Sequence, residues 1–321
     1  MFKTKITEML GIEHPIIMGS MGLISNAKLA AAVSDAGGLG FISSVAMGPQ
    51  ELKQEICKAK SLTNKPLGVN LSLLGGATNV EALIDTALEE GVKVFETSGI
   101  NPEPYIKRMK DGGARVIHKT PAVRFALKVQ HIGVDAVAII GQGGGGHLGM
   151  DLVSSMVLIP AAVDALSIPV IAGGEIADAR GFVAALALGA QGILMGTRFM
   201  ITRESPIHSK TKQWLVEAKE TDTILIEKSI RNPGRVMSNE AAYKLLGMES
   251  LQAKADDLML LAISGFKEVM ETGNTNAGIF YCGQAAGLVH DIPTVKEVID
   301  SIIAGAKTVG QHLTSIGLPT Q

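Results

Sequence analysis

A histidine at the end of a glycine run is the residue of this chain best suited to chemistry. The run Gly141-Gln142-Gly143-Gly144-Gly145-Gly146-His147-Leu148-Gly149 follows the apolar, strand-like Asp135–Ile140. Glycines let a backbone approach a flat or anionic ligand, and an imidazole moves a proton near neutral pH. Gly141, Gly143 and Gly146 also satisfy the dinucleotide-binding pattern G-x-G-x-x-G. That pattern should open a helix at once and meet an acidic residue about 20 positions later. Here the loop continues through His147 and Gly149, and the nearest candidate, Asp164, falls inside the helical-looking Ile159–Leu166. A linker fits poorly between a buried-type strand and a helical pattern, so the run reads as a ligand loop on an α/β scaffold.

The scaffold is legible from repeated short apolar runs, each followed by glycine or polar residues and then a helical pattern. Strands are expected at Pro15–Met18, Leu39–Ser43, Leu67–Leu71, Val92–Glu96, Arg115–His118, Ala136–Ile140, Pro169–Ala172 and Ile193–Gly196. Helices are expected at Asn26–Ala36, Pro49–Ser61, Val80–Glu90, Pro102–Asp111, Ala122–Ile132, Ser154–Leu166 and Ala179–Leu188, with left-handed stops at Gly37, Gly91, Gly112, Gly133 and Gly189. Eight units completed within about 200 residues predict a (β/α)8 TIM barrel, whose active site lies at the C-terminal ends of the strands. Those ends carry Gly19-Ser20-Met21, Ser43-Ser44, Asn70, Glu96-Thr97-Ser98, His118-Lys119-Thr120, the glycine run, Gly173-Gly174-Glu175 and Gly196-Thr197-Arg198. Gly173-Gly174 and Gly196-Thr197 follow the seventh and eighth strands, where such barrels commonly bind phosphate. Beyond Arg198 the character changes. Glu204–Glu220 and Glu240–Thr272 look helical around the polar loop Ser229–Gly234, and Thr294–Leu313 has the spacing of a closing amphipathic helix. The expected division is a barrel over 1–204 and 278–321 with a helical cap over its mouth at 205–277.

Composition narrows the partner. With 46% hydrophobic and 19% charged residues the chain buries a large core, and a net charge of −2 without a Lys/Arg cluster gives no footprint for nucleic acid or an anionic membrane. A small molecule is the expected partner. Cys57 and Cys282 have no disulfide or metal-ligand spacing, and the opening Met1–Lys5 has no signal-peptide core, so a cytoplasmic protein without a metal is expected. The longest apolar stretch, Met156–Gly174, is broken by Pro160, Asp164 and Pro169, and no membrane span is expected.

Taken in order, these segments resemble the FMN-dependent nitronate monooxygenases, formerly called 2-nitropropane dioxygenases. The likeness runs through Glu13-His14-Pro15-Ile16-Ile17, Ala36–Gly40, Pro66–Asn70, Val116–Lys119, Gly145–Gly149, Gly196–Phe199 and Gly283-Gln284. Flavin-dependent enoyl-ACP reductases and NADH:quinone reductases share the barrel, the FMN and the glycine-flanked histidine. The chain is also similar to a bacterial NADH:quinone reductase through Ala184–Ala190 and Arg203–His208. The resemblance implies FMN held by Gly19, Ser20, Met21, Asn70, Lys119, Gly145, Gly146, Gly173, Gly174, Gly196 and Thr197, with His147 catalytic and Gln284 reaching the substrate. It implies an alkyl nitronate or nitroalkane oxidised with O2 to a carbonyl compound and nitrite. The alternatives are NAD(P)H with a quinone, or an enoyl thioester, and a homodimer is the candidate assembly. An imidazole suits the role, since it can take the α-proton of a neutral nitroalkane or hydrogen-bond a nitronate oxygen. Lys119 offers a cation to the N1–C2 carbonyl edge of the flavin, and Asn70 both a donor and an acceptor to its pyrimidine edge. Two departures bear on the pocket: Glu175 brings an anion toward the expected phosphate, and the long glycine run leaves room beside His147.

Overall fold

A computed structural model of the chain describes residues 2–73 and 79–317. Eight parallel strands form the central sheet: β1 (Ile16–Met18), β2 (Gly40–Ser43), β3 (Leu67–Ser72), β4 (Val94–Ser98), β5 (Arg115–Thr120), β6 (Ala136–Ile140), β8 (Val170–Gly173) and β9 (Gly192–Met195). The two-residue β7 (Gly146–His147) lies between β6 and β8 in sequence but outside this sheet. The neighbour order β1-β9-β8-β6-β5-β4-β3-β2 closes on itself through backbone bonds from Met18 N–H to Leu39 O (2.9 Å) and Leu39 N–H to Ile16 O (3.0 Å). The fold is a (β/α)8 TIM barrel, and all eight expected strands are its staves.

The period of two along each strand explains why the sheet curls. Ile17, Phe41, Val94, Ile117, Ala136, Ala138, Ile171 and Leu194 make one buried cluster inside the barrel. Ile16, Met18, Ile42, Val69, Phe95, Val137, Ile139 and Ile193 belong to the larger cluster between strands and helices. Both faces are apolar, so both must be covered; closure covers the inner face and the helices cover the outer one. The short helix Lys5–Leu10, which the sequence reading left unassigned, puts Ile6 and Leu10 into the inner cluster. The closing helix is Val295–Ser315, capped by Thr294 and Glu297, and it packs on the helices Ala179–Ala187 and Ala27–Asp35.

Four of the five expected glycine stops have positive φ: Gly37 (90°), Gly91 (75°), Gly133 (95°) and Gly189 (94°). At the fifth the left-handed residue is Gly113 (73°), one position later, while Gly112 is glycine for space, because a Cβ there would lie 2.5 Å from Leu88 Cδ2.

Residues 205–277 depart from an all-helical segment. They contain the helices Ser209–Val216, Glu240–Ser250, Ala255–Ile263 and Phe266–Thr272, but also two strands, β10 (Thr223–Ile226) and β11 (Gly234–Met237). These pair antiparallel, and β11 also pairs with β7, placing Gly234 opposite His147 and Arg235 opposite Gly146. The polar loop expected at Ser229–Gly234 is the β10–β11 connection. Among the described residues no helix is long and apolar enough to cross a membrane.

Candidate active site

A cavity of about 900 Å³ opens at the C-terminal ends of the barrel strands. Gly19, Ser20 and Met21 reach it from β1, Asn70 from β3, Lys119 from β5, Gly174 from β8, and Gly196 with Thr197 from β9. Gly145, Gly146 and His147 reach it from the glycine run. Two expected residues do not line it. Gly173 ends β8 inside the wall, where a Cβ would lie 2.3 Å from Ile140 Cδ1. Gln284 sits behind the glycine run, its backbone N–H donating to Gly143 O at 2.9 Å. This backbone bond braces the loop.

The glycine run is packed tightly, contrary to the expectation that it leaves room. A Cβ on Gly141 would lie 2.1 Å from Ser155 Oγ, on Gly143 2.3 Å from Glu175 Cγ, and on Gly145 2.7 Å from Gly283 N; only Gly146, at φ 87°, faces open space. Glu175 has a structural task here. Its Oε1 accepts from Gly143 N–H (2.9 Å) and its Oε2 from Ser155 N–H (3.1 Å). The carboxylate thereby ties the loop to the start of helix Ser155–Ala165, and its charge is met by two backbone donors. Arg235 holds the other side, donating through Nε to Gln142 O at 3.0 Å.

Beneath Asn70 and Lys119 lies a buried polar cluster that side-chain types alone did not announce. Glu96 is fully buried; its Oε2 accepts from Asn70 Nδ2 at 2.6 Å and lies 3.7 Å from Lys119 Nζ, while Oε1 has no protein partner. Next to it, Thr97 Oγ1 and His118 Nδ1 are 2.9 Å apart. Burial, reinforced by the charge on Lys119, lowers the His118 pKa to about 4, so this imidazole is neutral at pH 7. An unfolded chain protonates that histidine below its ordinary value near 6.5 whereas the folded chain does not until about 4, so stability falls as pH drops through this window and is constant above it. His118→Gln is therefore expected to flatten the pH dependence of urea unfolding between pH 6.5 and 4, a span in which the wild type loses on the order of 3 kcal/mol from this group.

His147 is one-third exposed by side chain, and its Nε2 lies 3.2 Å from Oε2 of Glu227, which is 1% exposed. Asn232 Nδ2 donates to the same oxygen at 2.9 Å. The Tyr281 ring centroid lies 5.3 Å from that of His147, and burial, helped by the Glu227 charge, raises the Tyr281 pKa and keeps the phenol protonated. Glu227, Asn232 and Tyr281 were missed from sequence. The first two lie on a polar loop far along the chain, and Tyr281 lies in an apolar return segment. Only the pairing of β7 with β11 brings them to the histidine.

These residues fit a flavin. Ser20 Oγ on the cavity wall is buried without a partner, the glycines at 144–146, 174 and 196 allow close approach, and Lys119 supplies a cation. The helix after Gly196, Thr197–Met200, has only four residues and offers little helix dipole, so an anion there would meet mainly glycine backbone.

The protein is a flavin-dependent oxidoreductase, as its family and its relatives show. Residues 3–305 match the model of the nitronate monooxygenase family, and the chain belongs to that family. It is 34% identical, over 95% of its length and 96% of the relative's, to (3aS,4S,5R,7aS)-5-hydroxy-7a-methyl-1-oxo-octahydro-1H-indene-4-carboxyl-CoA dehydrogenase of Rhodococcus jostii. It is 30% identical to a "Probable nitronate monooxygenase" of Staphylococcus haemolyticus, over 96% and 98% of the two chains. The solved structure of FabK from Thermotoga maritima superposes with a TM-score of 0.93 at 36% identity, covering 98% of this chain and all of that one.

Proposed function

We propose that this chain is an FMN-dependent nitronate monooxygenase, converting alkyl nitronates and O2 to carbonyl compounds and nitrite. One observation carries the reading: the glycine run delivers His147 into the same cavity as Asn70, Lys119, Gly174 and Thr197 from four other strand ends. When bound, FMN supplies the electron chemistry with O2 that no side chain here can perform. The chain's own residues position and transfer protons. Gly174, Gly196 and Thr197 hold the phosphate, Ser20, Asn70 and Lys119 the flavin ring, and His147 takes the α-proton of a neutral nitroalkane or donates to a nitronate oxygen. Residues 205–277 act as a cap, supported by Asn232, Ile263 and Phe266 in the cavity wall. Exposed Phe125, Leu127, Met156 and Val157, on the adjacent helices Val123–His131 and Ser155–Ala165, support a homodimer. Free Cys57 and Cys282 fit a cytoplasmic setting.

A second reading, an NAD(P)H-dependent oxidoreductase acting on a quinone or an acyl thioester, is favoured by the apolar outer wall. Ile100 (61% exposed), Phe125 and Ile263 (74% exposed) line the cavity and suit a bulky substrate. The likeness to the CoA dehydrogenase points the same way. Anaerobic absorbance of the FMN-loaded protein separates the two. Under the first reading an alkyl nitronate alone perturbs the flavin bands, and admitting O2 releases nitrite. Rapid bleaching by NADH alone, with no response to nitronate, establishes the second.

A further inference from the structure

We propose that Glu227 is the positioning residue of this active site: it fixes the His147 ring, keeps the proton on Nε2 and leaves Nδ1 as the base. The inference rests on His147 acting as the base in the function above. Its own ground is the pair at 3.2 Å and the way the chain builds the carboxylate side of it.

A carboxylate that is 1% exposed needs a positive or donating partner. Among the described residues His147 is the one basic side chain within 4 Å of Glu227. The remaining contacts hold the carboxylate in place. Asn232 Nδ2 donates to Oε2 at 2.9 Å, and Asn232 N–H donates back to Glu227 O at 3.0 Å. From behind, Glu249 Oε2 accepts from Glu227 N–H at 2.9 Å, and its Oε1 accepts from Ser229 N–H and Oγ. Glu227 itself sits at φ 60°, a left-handed conformation that costs a residue with a side chain about 1 kcal/mol. A strained backbone clamped from both sides aims one carboxylate at one imidazole. No protein group bonds to His147 Nδ1 among the described residues.

The proton inventory follows. With Nε2–H donated to Glu227, the proton leaving the substrate carbon goes to Nδ1, and the imidazolium so formed keeps its contact with the Glu227 side chain. The other charged or titratable groups around the site are Glu175, Lys119 and Lys128 in the cavity wall, the neutral Tyr281 beside the ring, Arg235 opposite Gly146, and Glu249 behind Glu227. All are unchanged in a Glu227 variant, so a shift between the two proteins reports Glu227.

The test uses FMN-loaded Glu227→Gln, which keeps the shape and removes the charge. The His147 tautomer is read by 15N NMR of the neutral ring on histidine-labelled protein, its signals identified by their absence in His147→Asn. We expect the wild type to carry its proton on Nε2 and Glu227→Gln to show a mixture of the two tautomers, because the carboxylate that selects one nitrogen is gone. Turnover of a neutral nitroalkane should fall roughly 10- to 100-fold in kcat, with KM nearly constant. Glu227→Asp, which keeps the charge, should restore most of the tautomer preference and also serves if the glutamine variant does not fold. An unchanged tautomer in the variant overturns the proposal, whatever the kinetics. A wild type that leaves every nitroalkane untouched overturns the function above instead, and the NMR comparison still decides Glu227.

Discussion

His147→Asn should lower kcat on neutral nitroalkanes by about 10²- to 10⁴-fold, the usual contribution of a positioned general base. The loss should not come from unfolding. His147 is held by its backbone in β7, whose pairing with β11 needs no side chain, and Leu148 N–H still reaches Pro233 O at 2.9 Å. Flavin content and the visible spectrum should match the wild type, since the residues proposed to hold the phosphate and the ring come from other strand ends. Asn232 Nδ2 still donates to Glu227 Oε2 at 2.9 Å in this variant, so the buried carboxylate is not left bare. Single-turnover absorbance with a nitroalkane separates the proton step from product release. A variant at full rate would show that the base lies elsewhere and that His147 only closes the wall.

Gly40→Ala should be among the most destabilising single-methyl changes in the barrel. Gly40 opens β2, and a Cβ there would lie 2.0 Å from Ala30 O and 2.6 Å from Ala30 C and Cα. Its φ is not in the left-handed region, so alanine meets no dihedral penalty and the whole effect is collision with a helix backbone. The helix Ala27–Asp35 must move off the strand, opening the contacts of Leu29, Ala30 and Val33 with the core. Overpacking with no flexible neighbour costs about 3 kcal/mol or more. At about 2–4 °C per kcal/mol for a chain of this size, the melting temperature should fall by roughly 10 °C. An unchanged melting curve would mean that the strand and helix separate more easily than their backbone contact suggests.

The barrel was legible because each stave is a complete signal: a β-branched or apolar run, a polar or glycine end, then a helix with its own cap. Ala136–Ile140 and Gly192–Met195 need no partner to be recognised as buried strands, and the strand-end rule then collects the candidate site residues from six places in the chain. What escaped depends on pairing. β7 has two residues and β11 begins at a glycine, so neither carries a periodicity of its own. The helix Lys5–Leu10 is six residues long and shows three apolar positions. Glu175 looked like a misplaced anion because its donors, Gly143 and Ser155, lie 32 and 20 positions away. Glu227 had no signal beyond being a glutamate in a polar stretch, and its meaning comes from the strand that carries His147.

That same pairing ties two distant stretches of chain into one unit. The β7–β11 ladder, the Leu148–Pro233 bond and the His147–Glu227 contact all join the glycine run to residues 227–235. Any movement that parts this segment from the glycine run takes the carboxylate from the imidazole at the same moment. Such a form would deprotonate no faster than Glu227→Gln is expected to, so placement of the loop and strength of the base are coupled through a ladder of two residue pairs.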